Sequence, residues 1–176
     1  MRPTAIRSSG VERSLGPDEL IVSKTDAKGI LTYVNETFCR MAAAREEDLL
    51  GEPHNIIRHP DMPRVLFKYL WDSIGSRQEI FAYVKNLAFD GTHYWVFAHV
   101  TASGRLGEPI TGYHSNRRAA AGEAIAAVEP LYRTLCEVER SHSSSRQGLE
   151  ASAEVLETTL RDRGMTYDEF VWSITP

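Results

Sequence analysis

Residues 79–103 read EIFAYVKNLAFDGTHYWVFAHVTAS, which is two aromatic-rich runs separated by Asp90 and Gly91. An Asp-Gly pair between two such runs is typical of the tight turn that joins adjacent antiparallel strands. A third run, PITGYHSNR at residues 109–117, follows after the loop GRLGE. The middle of the chain therefore predicts three consecutive β-strands.

A second hairpin is predicted upstream, where ELIVSKTDAKGILTYVN spans residues 19–35. Its two β-type runs flank the sequence DAKG, a set of turn residues that ends in glycine. The next segment, NETFCRMAAAREEDLLG at residues 35–51, has helical character, with Asn35 as the N-cap and Gly51 as the stop. The order of elements up to this point is strand, strand, helix.

The segment PHNIIRHPDMPR, residues 53–64, predicts the start of a helix over residues 61–74. Asp61 is expected to cap this helix. Pro63 fits the first turn because proline has no N–H group to leave unpaired. On this pattern alone, the residues before the helix are ordinary solvent-facing residues of a loop.

The same segment also has the chemistry of an anion site. A helix N-terminus carries partial positive charge and unpaired N–H groups, which favour a phosphate. Arg58 would bind phosphate oxygens through its planar fork, and His59 would add a donor whose positive charge grows as the pH falls. Asp61 would cap the helix, bind a ribose hydroxyl or orient Arg58. A phosphate-bearing cofactor is therefore the second interpretation of this segment.

Helical patterns dominate the sequence after Ala119. AAAGEAIAAVEPLYRTLCEVER predicts a helix that Pro130 kinks or restarts, and the serine-rich SHSSSRQ separates it from a further helix, LEASAEVLETTLRDRG. The final MTYDEFVWSI holds large apolar side chains, which we expect to dock onto the domain rather than to form a partner-binding segment. The predicted division is an N-terminal arm at 1–17, a mixed domain at 18–118 and a helical extension at 119–176.

Composition excludes several classes of function. The chain of 176 residues has a net charge of -4 and scattered Lys and Arg residues, so no nucleic-acid surface is expected. No apolar run approaches the ~20 residues of a membrane helix, and we expect a cytoplasmic protein without membrane insertion. Cys39 and Cys136 are expected to be small buried or half-buried thiols. No catalytic motif is present, so enzymatic activity is not expected.

The six histidines do not form a metal-binding motif, because neither HxH nor HExxH occurs. No CxxC is present either, so a zinc site is not expected. A single axial histidine would be enough to hold haem, and sequence spacing does not exclude it. Haem therefore stays open as an alternative cofactor.

The order of two strands, short helices, a longer helix and three strands over residues 18–118 resembles a PAS domain. Several stretches resemble, more specifically, the PAS domain of bacterial aerotaxis receptors. They are YVNETF (33–38), GEPHNIIRHPDMPR (51–64), Trp71, VKN (84–86), DGTHYWV (90–96), ITGYHSNR (110–117) and AIAAVEPLY (124–132). The resemblance implies an α+β fold: a five-stranded antiparallel sheet with short helices on one face, followed by C-terminal helices.

The resemblance also implies that the chain binds FAD non-covalently and senses redox, oxygen or energy state through it. The positions that match the family's flavin-binding, pocket or signalling residues are Asn35, His54, Arg58, His59, Asp61, Trp71 and Asn86. Arg58 and His59 would hold the pyrophosphate at the start of the predicted 61–74 helix, while Asn35 and Asn86 would bond the flavin ring or the adjoining chain. Reduction adds a proton to the ring, so a nearby amide would flip and shift the sheet against the C-terminal helices.

Two departures from the family pattern accompany the match. Ile80 stands where the family often has a tryptophan, and the neighbouring Phe81 would point to the opposite face of its strand. The family also continues into a membrane anchor and a signalling domain, whereas this sequence stops after its helices. We therefore expect a stand-alone sensor that signals to a separate protein or through assembly into a homodimer or another homo-oligomer. The alternatives are a cofactor-free PAS interaction or dimerisation module and a haem-binding PAS gas sensor.

Overall fold

The two aromatic-rich runs pair as antiparallel strands at one edge of a sheet in the computed structural model, which describes residues 6–176. The strands are β1 (Ile21–Asp26), β2 (Leu31–Val34), β3 (Ile80–Leu87), β4 (His93–Ser103) and β5 (Gly112–Ala119). Their order across the sheet is β2-β1-β5-β4-β3, and every neighbouring pair is antiparallel. The predicted five-stranded antiparallel sheet and both predicted hairpins are confirmed.

The turn between β1 and β2 is built by one aspartate and one glycine. The Asp26 carboxylate accepts hydrogen bonds from the N–H groups of Lys28 and Ile30, at 2.8 and 2.9 Å. Gly29 adopts a left-handed φ of 80°, and a Cβ atom at this position would lie 2.9 Å from the ring of Trp71. Glycine is required here both by the backbone angle and by the approach of that ring.

The helical region between β2 and β3 is divided more finely than predicted. It contains α1 (Glu36–Ala42), α2 (Glu46–Leu49), a 3₁₀ turn (His54–Ile57) and α3 (Arg64–Gly75). Asn35 caps α1, as predicted, by accepting from Phe38 N at 3.0 Å. The predicted helical segment from Asn35 to a stop at Gly51 is interrupted at Ala43, which turns into the left-handed region with a φ of 51°. The carbonyl of Ala42 accepts from Phe89 N at 2.8 Å instead of serving a continuing helix.

The longer helix α3 begins later than predicted, at Arg64, with Pro63 in the N-cap position. The prediction that Asp61 caps this helix is therefore wrong. The residue before a proline is disfavoured in helical conformation, so Met62 remains outside the helix. Val65, Leu66 and Ile74 are the buried residues of α3.

The C-terminal region forms three helices: α4 (Gly122–Ser141), α5 (Ser145–Asp162) and α6 (Tyr167–Ser173). Pro130 lies inside α4, which continues through it rather than restarting. The serine-rich break is confirmed, and Ser144 caps α5. Within residues 6–176, none of the helices combines the length and the apolar character needed to cross a membrane.

The two faces of the sheet are covered by different parts of the chain. Side chains such as Val84 point towards α3, whereas the alternate residues of β3 point towards the C-terminal helices. Ile80 is buried on the α3 side, while Phe81 lies on the other side against Trp172 of α6, with ring centroids 4.8 Å apart, as the strand alternation predicts. Phe170 in the same helix is buried, so the predicted docking of the C-terminal tail is confirmed.

The N-terminal arm predicted at 1–17 runs beside the β3–β4 turn, as far as it is described; residues 1–5 lie outside the described residues. Ser9 N donates to Gly91 O at 2.8 Å, and Arg13 N donates to His93 O at 2.7 Å. A Cβ atom at Gly91 would lie 2.7 Å from the carbonyl oxygen of Arg7. The glycine of the Asp-Gly turn therefore also makes room for the arm.

Candidate functional site

A cavity of ≈ 110 Å³ lies between α3 and the inner face of the sheet. Most of its wall is apolar, with Phe67, Leu70 and Ile74 on the helix side and Val84 and Val100 on the sheet side. The remaining lining residues are Ser23, Thr25, His54, Asn55, Arg58, Trp71, Asn86, Ala98, Tyr113, Ser115 and Arg117. The cavity thus has apolar walls and one polar end.

The polar end contains a buried cation. Arg117 is only 6% exposed, and its guanidinium donates to His54 Nε2 at 2.7 Å and to Ser23 Oγ at 3.4 Å. No carboxylate of the described residues forms an ion pair with it. Burial lowers the pKa of Arg117 to about 10, which leaves it charged at neutral pH. Burial, with the Arg117 charge, also lowers the pKa of His54 to about 3, so this imidazole is neutral.

Two further polar groups in the cavity wall have no hydrogen-bond partner among the described residues. They are the amide nitrogen of Asn86, a residue that is 4% exposed, and the hydroxyl of Ser115. Buried donors and acceptors are nearly always paired, because each unpaired group costs about 1–3 kcal/mol. The unpaired atoms and the uncompensated guanidinium therefore point to a polar ligand at this end of the cavity.

An aromatic pair stands at the edge of the cavity. Trp71 is 41% exposed and lies edge-on against Tyr113, with ring centroids 5.2 Å apart. Both side chains line the cavity, and the tryptophan also contacts the Gly29 turn. Trp71 therefore lies at the boundary between the cavity and solvent, in the pocket region that the resemblance predicted.

A larger open groove of ≈ 690 Å³ adjoins the cavity, between the segment around residues 52–64 and α4. Asn55 and Arg58 line both spaces. The other residues that line the groove are Ile6, Glu52, Pro53, Ile56, His59, Pro60, Met62, Arg64, Leu87, Cys136, Glu139 and Arg140. A ligand with two linked parts would pass beside Arg58.

Arg58 is held at this junction by the chain around it. Its Nη2 donates to Met62 O at 2.8 Å, and its guanidinium lies 4.3 Å above the ring of Phe67. Its backbone also pairs with Asn86 of β3. Burial lowers the pKa of Arg58. The side chain is therefore fixed in place with part of its hydrogen-bonding capacity unused.

His59 is buried in the groove wall as a neutral donor. Its Nδ1 accepts from Asp61 N at 3.1 Å, which leaves the proton on Nε2, 3.3 Å from Ser8 Oγ. Burial, reinforced by the charge of Lys85, lowers the pKa of His59 to about 4. The positive charge expected of this residue as the pH falls therefore arises only near pH 4, whereas at neutral pH it can still donate a hydrogen bond.

Asp61 and Asn35 lie away from the cavity. The Asp61 carboxylate is 3.6 Å from both Lys85 Nζ and Arg140 Nη2, and it faces a third space beside α4. The Asn35 side chain accepts from Phe38 N and Val22 N and donates to Leu20 O. These bonds hold the side chain between the start of α1 and the backbone at residues 20–22, so a bond from Asn35 to a flavin is not supported by its position.

The N-terminus of α3, predicted as an anion site, carries an anion of the chain itself. The Glu139 carboxylate of α4 accepts from Arg64 N and Val65 N, each at 3.0 Å, and from Arg64 Nε at 3.0 Å. Burial opposes its ionisation, but these hydrogen bonds outweigh burial and lower the pKa of Glu139. This residue was missed by the sequence reasoning, as were Ser115 and Arg117.

The thiols and the possible metal ligands of the described residues do not form a further site. Cys39 and Cys136 are free thiols, half-buried and buried, as predicted. In residues 6–176 no group of three or more His, Cys, Asp or Glu side chains is arranged to hold a metal ion. The cavity and the groove are thus the places where these residues would hold a ligand.

Comparisons with known proteins agree with this geometry. A family described as PAS fold matches residues 31–116. The aerotaxis receptor of Escherichia coli (strain K12) is 40% identical over 121 residues, which is 69% of this chain and 24% of that receptor. This chain therefore spans about a quarter of the length of that relative.

Solved structures show the same fold at low sequence identity. A PAS domain from Colwellia psychrerythraea superposes with a TM-score of 0.53 at 15% identity, over 57% of this chain and 86% of that one. A light-oxygen-voltage domain studied with a flavin analogue gives a TM-score of 0.54 at 12% identity, over 70% and 87%. Residues 31–116 of this chain therefore form a PAS domain of the kind found in bacterial aerotaxis receptors.

Proposed function

We propose that this chain is a sensor that binds FAD non-covalently, with the flavin ring in the cavity and the remainder of the dinucleotide in the groove. The observation that carries the proposal is Arg117, a buried cation without a carboxylate partner that faces the cavity. A buried charge is costly unless it is paired, so its presence in the wall implies a ligand with acceptor atoms.

The flavin ring matches the walls of the cavity in its chemistry. Its flat faces suit the apolar side chains of α3 and the sheet, and one edge carries carbonyl oxygens and ring nitrogens. Arg117 and Asn86 would donate to acceptors on that edge, and the Ser115 hydroxyl would pair there as well. A flavin accepts electrons and protons at its ring, which is the redox chemistry that a sensor of this kind needs.

The groove favours FAD over a flavin with a single phosphate. Arg58 lies where the cavity meets the groove, and a guanidinium is well matched to phosphate oxygens. The protonated Nε2 of His59 would add a neutral donor on the groove side. The larger volume of the groove would accommodate the adenosine part, which FMN lacks.

The volume of the cavity favours a second candidate function. Ligand pockets usually measure about 300–1,000 Å³, well above ≈ 110 Å³. Ile80, in place of the family's tryptophan, also removes an aromatic side chain from the α3 side of the sheet. Both observations suit a cofactor-free interaction or dimerisation module. Under the FAD proposal, α3 instead moves outward to admit the ring.

The signal under the FAD proposal is redox, oxygen or energy state in the cytoplasm, by analogy with the aerotaxis relative. Reduction changes which ring atoms donate and which accept. The Asn86 amide, which lacks a partner, would rotate in response and move β3. The C-terminal helices would pass that movement to a separate signalling protein or to a second copy of the chain.

Loading the purified protein separately with FAD, FMN and haem, followed by desalting, tests these alternatives. We expect FAD to be retained more tightly than FMN, because only FAD reaches the groove.

Arg58→Ala should weaken FAD retention by about tenfold or more, the value of a charge-assisted phosphate contact, while FMN binding changes less. Retention of haem with a Soret band would identify the gas-sensor alternative, and retention of nothing would favour the cofactor-free module.

A further inference from the structure

The side chains of α4 hold the backbone of the segment that leads into α3. Arg140 Nη2 donates to Pro60 O at 3.2 Å, and Cys136 Sγ donates to Asp61 O at 3.2 Å. Glu139 accepts from the first N–H groups of α3, as described above. The three α4 residues lie one turn apart on a single face of the helix, so the attachment acts as a unit.

Glu139 also ties α5 to the same point. The hydroxyl of Ser152 in α5 donates to Glu139 Oε1 at 3.1 Å. Gly148 lies so close that a Cβ atom there would be 2.5 Å from the carbonyl oxygen of Glu139. Glu139 is only 8% exposed. Its buried carboxylate therefore connects α3, α4 and α5.

The position of α3 controls the size of the cavity. Phe67, Leu70 and Ile74 form the helix side of its wall, and the present volume of ≈ 110 Å³ is too small for a flavin ring. Admitting the ring requires α3 to move outward. Since the first N–H groups of α3 are bonded to Glu139, this movement must either carry α4 along or break the bonds.

We propose that Cys136, Glu139 and Arg140 form a latch that couples the position of α3 to the attachment of α4 and α5. The latch is closed when the cavity is small and loosens when α3 moves outward. The flavin-dependent opening rests on the proposed function, whereas the coupling between the helices does not. Because coupling is reciprocal, weakening the latch from the α4 side must also loosen the first turn of α3.

Amide hydrogen exchange of Glu139→Gln and of the matched control Glu137→Gln tests the latch. Glu137 is exposed on the same helix, so its substitution makes the same change in charge without touching the latch. We expect Glu139→Gln to raise exchange about tenfold or more in the first turn of α3 and in α5, with the β4 and β5 amides unchanged. Equal exchange in the two variants would overturn the proposal.

A milder variant covers the case in which Glu139→Gln loosens the whole domain. Ser152→Ala removes one donor to Glu139 from α5 and does not touch α3. The latch requires that exchange still rises, by a smaller factor, in the first turn of α3. A rise confined to α5 would show that the helices are not coupled through Glu139.

Flavin loading separates this inference from the proposed function. In the wild-type protein, FAD should increase exchange in α4 and α5, and in Glu139→Gln it should add nothing further. A chain that retains no FAD would refute the proposed function, but the comparison of Glu139→Gln with Glu137→Gln on the flavin-free protein would still decide the latch. FAD retention without any change in α4 and α5 would refute the coupling alone.

Discussion

Burying the charge of Arg117 without a carboxylate partner lowers the stability of the folded protein, but under the FAD proposal the same charge binds the flavin. Even a buried ion pair can often be replaced by apolar side chains of similar volume with a neutral or stabilising effect, of about 1–4 kcal/mol, and Arg117 has no carboxylate partner that its removal would leave unpaired. We therefore expect Arg117→Met to leave the free energy of unfolding of the flavin-free protein unchanged or to raise it, while FAD retention is lost. Urea unfolding and flavin absorbance measure the two effects on the same sample.

The matched control for this prediction is Arg118→Met, since Arg118 is the exposed neighbour on the same strand. It should change neither property. A large loss of stability in Arg117→Met would show that Arg117 is needed by the fold itself. In that case its buried charge would no longer argue for a ligand.

The two histidines with strongly lowered pKa values predict an acid sensitivity of the flavin-free protein. The pKa values of His54 and His59 are lowered to about 3 and about 4, so the unfolded chain takes up protons that the folded chain does not. Their contribution to stability is complete above the unfolded value of about 6.5 and is lost as the pH falls towards 3. Each histidine should contribute about 1.4 kcal/mol per pH unit within this window.

Urea midpoints at pH 7 and pH 5 measure this dependence. The variant His54→Gln should lose part of the pH dependence, because the glutamine oxygen can still accept from Arg117 and does not titrate. His142→Gln, at an exposed position after α4, serves as the control. An undiminished pH dependence in His54→Gln would show that His54 is not the group that takes up the proton.

Among individual residues, the sequence predicted some members of the site and not others, for physical reasons. Arg58 and His54 lie in a motif long enough to be recognised, and both line the cavity. Ser115 and Arg117 could have been found, because they are alternate residues of the strand predicted at residues 109–117 and therefore share a face, and buried polar residues are unusual. Asn35 was assigned two roles, and the structure supports the cap.

Among the elements, the break between α1 and α2 gives the clearest prediction. Ala43 holds a left-handed φ of 51°, which costs an L-residue about 1–2 kcal/mol. Ala43→Gly should therefore raise the free energy of unfolding, by up to about 1 kcal/mol once the greater freedom of glycine in the unfolded chain is subtracted. Thermal unfolding measures the change.

Ala44→Gly provides the comparison for that prediction. Ala44 is the next residue and does not have a positive φ, so glycine offers no relief of strain there. We expect this variant to be neutral or less stable than the wild type. A gain in Ala44→Gly equal to that in Ala43→Gly would contradict the assignment of strain to Ala43.

The elements that were predicted correctly are those that their own residues specify. The Asp-Gly turn and the alternation of β3 and β4 are local properties. The end of α1 was missed because the bond from Phe89 N to Ala42 O comes from the β3–β4 turn, which is distant in the sequence. The start of α3 was placed too early for a related reason, since the carboxylate that serves its first N–H groups comes from α4.

In the whole molecule, the cavity, the groove and the C-terminal helices meet along one segment, residues 58–65. The side chain of Arg58 faces the two ligand spaces, while α4 holds the backbone from Pro60 to Val65. Under the two proposals, the helical extension would be part of the sensor. Binding in the cavity and movement of the extension would then both follow from the same displacement of α3.

FAD binding is decided by the visible absorption spectrum of the wild-type protein after incubation with FAD and desalting. We predict the bands of bound flavin at one FAD per chain, with FAD rather than FMN recovered when the protein is denatured and the chromophore is separated. A folded but colourless protein under these conditions would contradict FAD binding and leave the cofactor-free module as the function of this domain.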